Sequence, residues 1–280
     1  MSYKTIIVNL ANAENAERMT EIAVSIARKF NAHLIGLHTL QSIEIYPSVS
    51  MYMPQNISKS FDEDQAAEGD KIRDIFLNLT GKEDFVSEWR CVKASAPSAG
   101  KVIIDHSRTA DLIIMAQPDE SLDRADQTTI QREVIEESGR PVLIIPKAGR
   151  FNHIGDHILI GWSATKEAAR AVHDAIPFAQ KGAKASIFWV SKSNQTDNYL
   201  ADTGHQMAIC LDRHGVKAEV THRVQLDLPI GDEILNEAAD TGADMIVSGA
   251  YGHSRVYDFM VGATTPHLMK HMTVPVLFSS

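Results

Sequence analysis

Four apolar runs recur in the same order in the two halves of this 280-residue chain, and that duplication constrains the fold more than any single motif. Lys4–Asn9 answers His157–Trp162, and Ala32–His38 answers Ala183–Trp189. Ala110–Met115 answers Ala243–Ser248, and Pro141–Ile144 answers Pro275–Phe278. Between the copies lies a polar, glycine-bearing stretch from Lys147 to Asp156. Two domains of one fold are therefore expected, at 1–149 and 150–280.

Within each half, short apolar runs alternate with segments of helical period, which predicts an α/β fold with a parallel sheet between layers of helices. In the first half the strands are expected near 3–10, 32–39, 85–93, 111–116 and 141–146. Helices are expected near 14–30, 62–80 and 98–108, with second-half counterparts near 195–214 and 230–241. Asn31 and its counterpart Gly182 suit the left-handed conformation that ends a helix. The first half is longer, and its surplus falls in Gln41 to Phe61, either a cover over a pocket, a partner surface or a loop packed on its own domain.

Composition narrows the function. Apolar residues make up 44% and charged residues 22%, as in a globular protein, and there is no apolar run long enough for a membrane span. A net charge of -9 without a basic cluster disfavours nucleic acid as a partner. The N-terminus shows no signal-peptide cleavage pattern. Cys91 and Cys210 stand apart without metal-ligand spacing, so free thiols in a reducing cytoplasm are expected.

The stretch from Asp244 to Thr265 carries the chemistry. Met245-Ile246-Val247 reads as a buried strand, Gly249 and Gly252 follow, and Gly262-Ala263-Thr264-Thr265 leads into a helix. A strand that runs into glycines and then a helix start can hold phosphate, because bare backbone amides approach the anion there. The spacing is neither that of the P-loop nor that of the dinucleotide fingerprint.

The spacing G-x-x-G-x(9)-G, with the closing run Thr273–Phe278, resembles the universal stress protein family. The resemblance implies two tandem, doubly wound, five-stranded parallel sheets, Rossmann-like and similar to the adenine nucleotide alpha hydrolase fold. It implies a C-terminal site for ATP, or for ADP or AMP, with Mg as a companion ion. Ser248, Gly249, Ala250, Tyr251, Gly252 and Gly262 would surround the phosphates. Ala263 stands where ATP-binding relatives carry Ser or Thr, with Thr264 and Thr265 able to compensate if the helix starts one residue later. Ser163 takes the place of an acidic residue that meets the base or sugar, and Val190 takes the place of an apolar residue beside the base. The resemblance also implies that the final strands pair, within the chain or in a homodimer.

The first half offers Ala116, Asp119 and Thr128 in place of the three glycines, amid the acidic stretch Gln117–Asp126. Like charge there would repel a phosphate, so this half is expected to lack the site. Asp119, Glu120, Asp123 and Asp126 are a cation candidate set against a plain solvated loop. His267 and His271, four apart on a helix, read as a surface pair. His253 and Asp258 are the groups on offer for ATP hydrolysis, which would be weak. Three readings stay open: a nucleotide-binding stress or signalling module, a nucleotide-free interaction protein or carrier of another small ligand, and a slow ATP hydrolase.

Overall fold

The computed structural model describes residues 2–41, 55–94, 99–119, 127–179, 182–191, 198–225, 227–252 and 261–280. In chain order the first repeat gives β1 (Thr5–Asn9), α1 (Ala13–Phe30), β2 (His33–Leu40), α2 (Gln55–Thr80), β3 (Ser87–Lys93), α3 (Ala99–Ser107), β4 (Leu112–Ala116), α4 (Gln127–Glu137) and β5 (Val142–Ile145). The second gives β6 (His157–Gly161), α5 (Lys166–Ala179), β7 (Lys184–Ser191), α6 (Asn198–Arg213), β8 (Ala218–Val224), α7 (Ile230–Thr241), β9 (Met245–Gly249), α8 (Val261–His271) and β10 (Val276–Ser279).

The chain divides into two compact units. One holds Tyr3–Met115 and Asp126–Val134, and the other holds Met1–Ser2, Ala116–Ala125 and Ile135–Ser280. In the first, the strands lie in the order β3-β2-β1-β4, all parallel. Ile6, Ile7, Val8, Ile113 and Ile114 are fully buried, because strands covered on both faces need apolar residues throughout. Helix α1 starts at Asn12, whose side chain accepts a hydrogen bond from the Asn15 amide at 3.0 Å. It ends at Asn31, which sits at φ 48° as the sequence predicts.

In the second unit the order is β5-β10-β9-β6-β7-β8. Every neighbouring pair from β10 to β8 is parallel. The exception is β5, which runs antiparallel to β10 with Leu143 opposite Leu277. The final strand of the first repeat thus pairs with the final strand of the second, and each covers an edge that the other would leave open.

Both repeats start their first strand on the same device. Asp111 Oδ2 accepts from the amides of Lys4 at 2.7 Å and Thr5 at 3.0 Å. Asp244 accepts from Gly155 at 2.8 Å and from Asp156 at 3.0 Å. A carboxylate ahead of the fourth strand thereby fixes where the neighbouring first strand begins. Helix α2 begins at Gln55, earlier than the expected 62, because no Gly or Pro interrupts Gln55–Phe61. Most of the expected surplus loop lies outside the described residues. Among the described residues, no helix is long and apolar enough to cross a membrane.

Removing the Asp244 carboxylate leaves two strand-start amides without their acceptor. Asp244→Ala is expected to lower stability by about 2–3 kcal/mol, read as a reduced urea midpoint at unchanged m-value. An unchanged midpoint would show that water replaces the carboxylate at no cost.

Candidate functional site

Strand β6 lies between β7 and β9, so the crossover through α5 leaves it on one side and the chain returns on the other. This reversal of direction opens a crevice at the C-terminal ends of the strands. The register aligns Gly161 with both Phe188 and Ser248. Ser163 follows β6 by two residues, Val190 is the second-last residue of β7 and Ala250 follows β9, so all three lie at the C-terminal ends of neighbouring strands. The structure thus brings Ser163, Val190 and the Ser248–Gly252 segment to a common edge, with Ser163 and Val190 half-buried.

Local chemistry fixes the first turn of α5. Ala164 adopts φ 52°. Thr165 Oγ1 then accepts from the Ala168 amide at 3.2 Å, an N-cap that satisfies one of the helix's open donors. The Ser163 hydroxyl lies 3.2 Å from the Thr165 hydroxyl. Trp162 is buried and donates from Nε1 to Thr203 Oγ1 at 3.2 Å, so its ring packs inside rather than covering the crevice.

The two strand-end glycines lie against this same turn. A Cβ on Gly249 would come within 2.5 Å of the Ala168 nitrogen, and one on Gly252 within 2.7 Å of Glu167 Oε2. Neither position admits a side chain without movement. Between them Ala250 donates its amide to the Ser279 carbonyl at 2.8 Å, and Tyr251 turns the chain at φ 52°. The Tyr251 amide points to Thr265 Oγ1 at 3.4 Å, and its hydroxyl donates to Met269 Sδ at 3.6 Å. Ser248 is buried, and its hydroxyl donates to the Gly249 carbonyl at 3.0 Å.

Helix α8 begins at Val261, so Gly262, Ala263 and Thr264 fall in its first turn. Thr265 is buried and its hydroxyl receives the Tyr251 amide, so it faces the loop. Ala263 is exposed and Thr264 half-exposed.

A buried acid stands beside this loop. Glu167 has 8% of its side chain exposed, and its Oε1 lies 3.4 Å from the exposed Lys166 Nζ. In the sequence Glu167 is indistinguishable from an ordinary favourable charge in the first turn of a helix. Thr165 carries a local signal, since a Thr directly before the first helical residues is a favoured N-cap.

The first repeat is arranged differently at the matching place. Gln117, just after β4, is buried and its side chain is engaged at both ends. Its Nε2 donates to the carbonyls of Met269 at 2.8 Å and Lys270 at 3.1 Å, and its Oε1 accepts from the Lys147 amide at 2.9 Å. Asp119 lies 4.0 Å from Lys147 Nζ. The other acidic candidates, Glu120, Asp123 and Asp126, lie outside the described residues, as do His253 and Asp258.

His267 is not the surface residue that its helical spacing suggested. It is partly buried, its Nε2 lies 2.7 Å from Asp232 Oδ1, and its ring fills the space over Gly231. It joins α8 to α7. Burial, followed by the charge of Asp70, pushes the Cys91 thiol above its ordinary value and disfavours the reactive thiolate. Cys210 is not isolated: a ligand atom of Cys210 lies within 4.8 Å of ligand atoms of His173 and His214. The Cys210-x-x-x-His214 spacing was the available signal, and His173 reaches it only through the fold.

Comparison with known proteins agrees with this architecture. A family model, the universal stress protein family, matches residues 2–146 and again 155–279. A universal stress protein of Synechocystis sp. is 31% identical over 94 residues, which is 32% of this chain and 30% of that protein. The chain therefore matches less than a third of that relative's length. The crystal structure of a universal stress protein from Archaeoglobus fulgidus superposes with a TM-score of 0.72 at 16% identity, covering 99% of this chain and 96% of that one. A Pseudomonas aeruginosa PAO1 protein of unknown function superposes at 0.61 and 15% identity, with coverage of 99% and 92%. At these identities the structural likeness concerns the fold.

The close approach of Gly249 to α5 has a direct test. Gly249→Ala forces the helix start to move and is expected to cost about 1–3 kcal/mol in urea unfolding. A change below about 0.5 kcal/mol would mean that this contact is loose.

Proposed function

This chain belongs to the universal stress protein family, and from that premise we propose that its second repeat is a sensor domain for an adenine nucleotide, ATP or its relatives ADP and AMP. The phosphates lie over Gly249–Gly252 and the first turn of α8 at Gly262, where backbone amides supply the donors. Ser163 and Val190 serve the nucleoside end. The observation that carries this reading is the meeting of two glycines and a helix start at the reversal point of a parallel sheet. Signalling is by occupancy, in the cytoplasm.

Three features set the strength of the site. Ala263 supplies no hydroxyl, a loss of about 0.5–1.5 kcal/mol for one hydrogen bond. Thr265 does not replace it. The Glu167 carboxylate adds like charge near the phosphates, and two unit charges at about 4 Å repel by roughly 4 kcal/mol at an effective dielectric constant near 20. Mg would offset that repulsion, so binding requires the metal-bound nucleotide. The first repeat binds none, since Gln117 fills the place where an open strand end would be.

A second reading follows from the same carboxylate: an interaction protein with a vestigial crevice. Nucleotide released from the purified protein on denaturation, together with a rise in melting temperature with millimolar Mg-ATP, supports the sensor. Empty protein with no shift supports the second reading. Glu167→Gln is expected to tighten Mg-ATP binding by about fivefold or more in calorimetry. Gly252→Val is expected to abolish it, and a heat-stability shift that survives this substitution places the ligand elsewhere.

A further inference from the structure

Helices α5 and α6 carry a group of donors that the nucleotide reading leaves unused. His173 lies midway along α5, Cys210 in the last turn of α6, and His214 one residue beyond that helix. One ligand atom from each lies within 4.8 Å of the others, and this is the one such His, Cys, Asp or Glu group among the described residues. We propose that His173, Cys210 and His214 form a zinc site that ties α5 to α6.

The donor set and its setting both favour this ion. A thiolate with two imidazoles selects zinc over magnesium or calcium, which prefer oxygen. Four-coordinate zinc holds such ligand atoms about 3.3–3.7 Å apart, so side-chain rotation of about 1 Å closes the site. The two rings already stand edge to face, with centroids 6.4 Å apart at 83°.

The backbone under the ligands is fixed. Cys210 and His214 are four apart, and the closing turn of α6 holds His214, whose amide donates to the Leu211 carbonyl at 2.9 Å. Beyond α6 the chain closes in a left-handed cap, with Gly215 at φ 78° and the Val216 amide donating to the Leu211 carbonyl at 3.0 Å. Val216 and Leu211 are both buried and anchor that cap. The open carbonyls at the end of α6 further favour a cation. Both histidines are exposed and Cys210 is half-buried, so an ion enters from solvent and its fourth position is left to water or an exchangeable ligand. Cys91, the other thiol, lies elsewhere on β3 and belongs to no such group.

The test uses the full chain without a histidine tag, stripped with a chelator and then titrated with zinc against a chromophoric competitor. One zinc per chain is expected. Cobalt is expected to give a thiolate-to-metal charge-transfer band, and zinc is expected to protect Cys210, but not Cys91, from alkylation. Cys210→Ser is expected to remove the cobalt band and weaken zinc binding by at least about tenfold. Cys91→Ser is expected to change neither. If Cys210→Ser does not fold, as judged by circular dichroism, the exposed-residue variant His214→Ala carries the same expectation for affinity. Zinc that binds no tighter than millimolar, or that binds Cys210→Ser or His214→Ala as tightly as the parent chain, overturns the proposal. These outcomes do not depend on nucleotide, so the two readings stand or fall separately.

Discussion

The second repeat depends on one close approach: the end of β9 lies against the first turn of α5 with no room for a side chain at Gly249. Steric exclusion of this kind is absolute at short range, whereas hydrogen bonds can be exchanged with water. It sets the position of Tyr251 and Gly252, which in turn sets where the chain leaves toward α8. It also brings the Glu167 carboxylate beside Gly252. Packing and binding therefore make the same demand on one glycine, and its presence alone does not separate them. The proposal of a nucleotide rests on the wider setting at the reversal point of the sheet.

A second constraint is the treatment of strand edges and strand starts. Short terminal strands such as β5 and β10 are open to pairing, and here they pair with each other across the two repeats. Asp111 and Asp244 each hold the start of the first strand of their repeat through two consecutive backbone amides, set one residue apart in the two copies. These devices are shared by both copies, so they belong to the fold. The copies diverge at the ends of β4 and β9, where one has Gln117 spent on neighbouring carbonyls and the other has glycines. Duplication followed by divergence at that edge explains why one copy is a candidate for a ligand and the other is not.

Strands and helices were readable in the sequence because apolar runs and helical period are local signals, and Asn31 because its conformation is dictated by its own side chain. The family spacing is what points to Ser163, Val190, Gly249 and Gly252, and their part in binding a ligand is a proposal. What escaped were roles created by partners distant in sequence. Glu167 becomes an obstacle to phosphate only because β9 ends beside it. His267 becomes a packed partner of Asp232 only because α7 and α8 meet. The zinc-ligand group needs α5 to lie beside the end of α6, a fact that no spacing within either helix contains. The start of α2 at Gln55 has a simpler cause: a polar segment without Gly or Pro can be helix as readily as loop.

The central claim is that a metal-bound nucleotide rests on the main-chain amides of the second repeat. Amide chemical shifts of the isotopically labelled chain, followed through a titration with Mg-ATP, test it most directly. Saturable shifts at Gly252, Gly262 and Ala263, with the first repeat unmoved, are the predicted result. Spectra unchanged at millimolar nucleotide, or shifts confined to residues around Gln117, would contradict it.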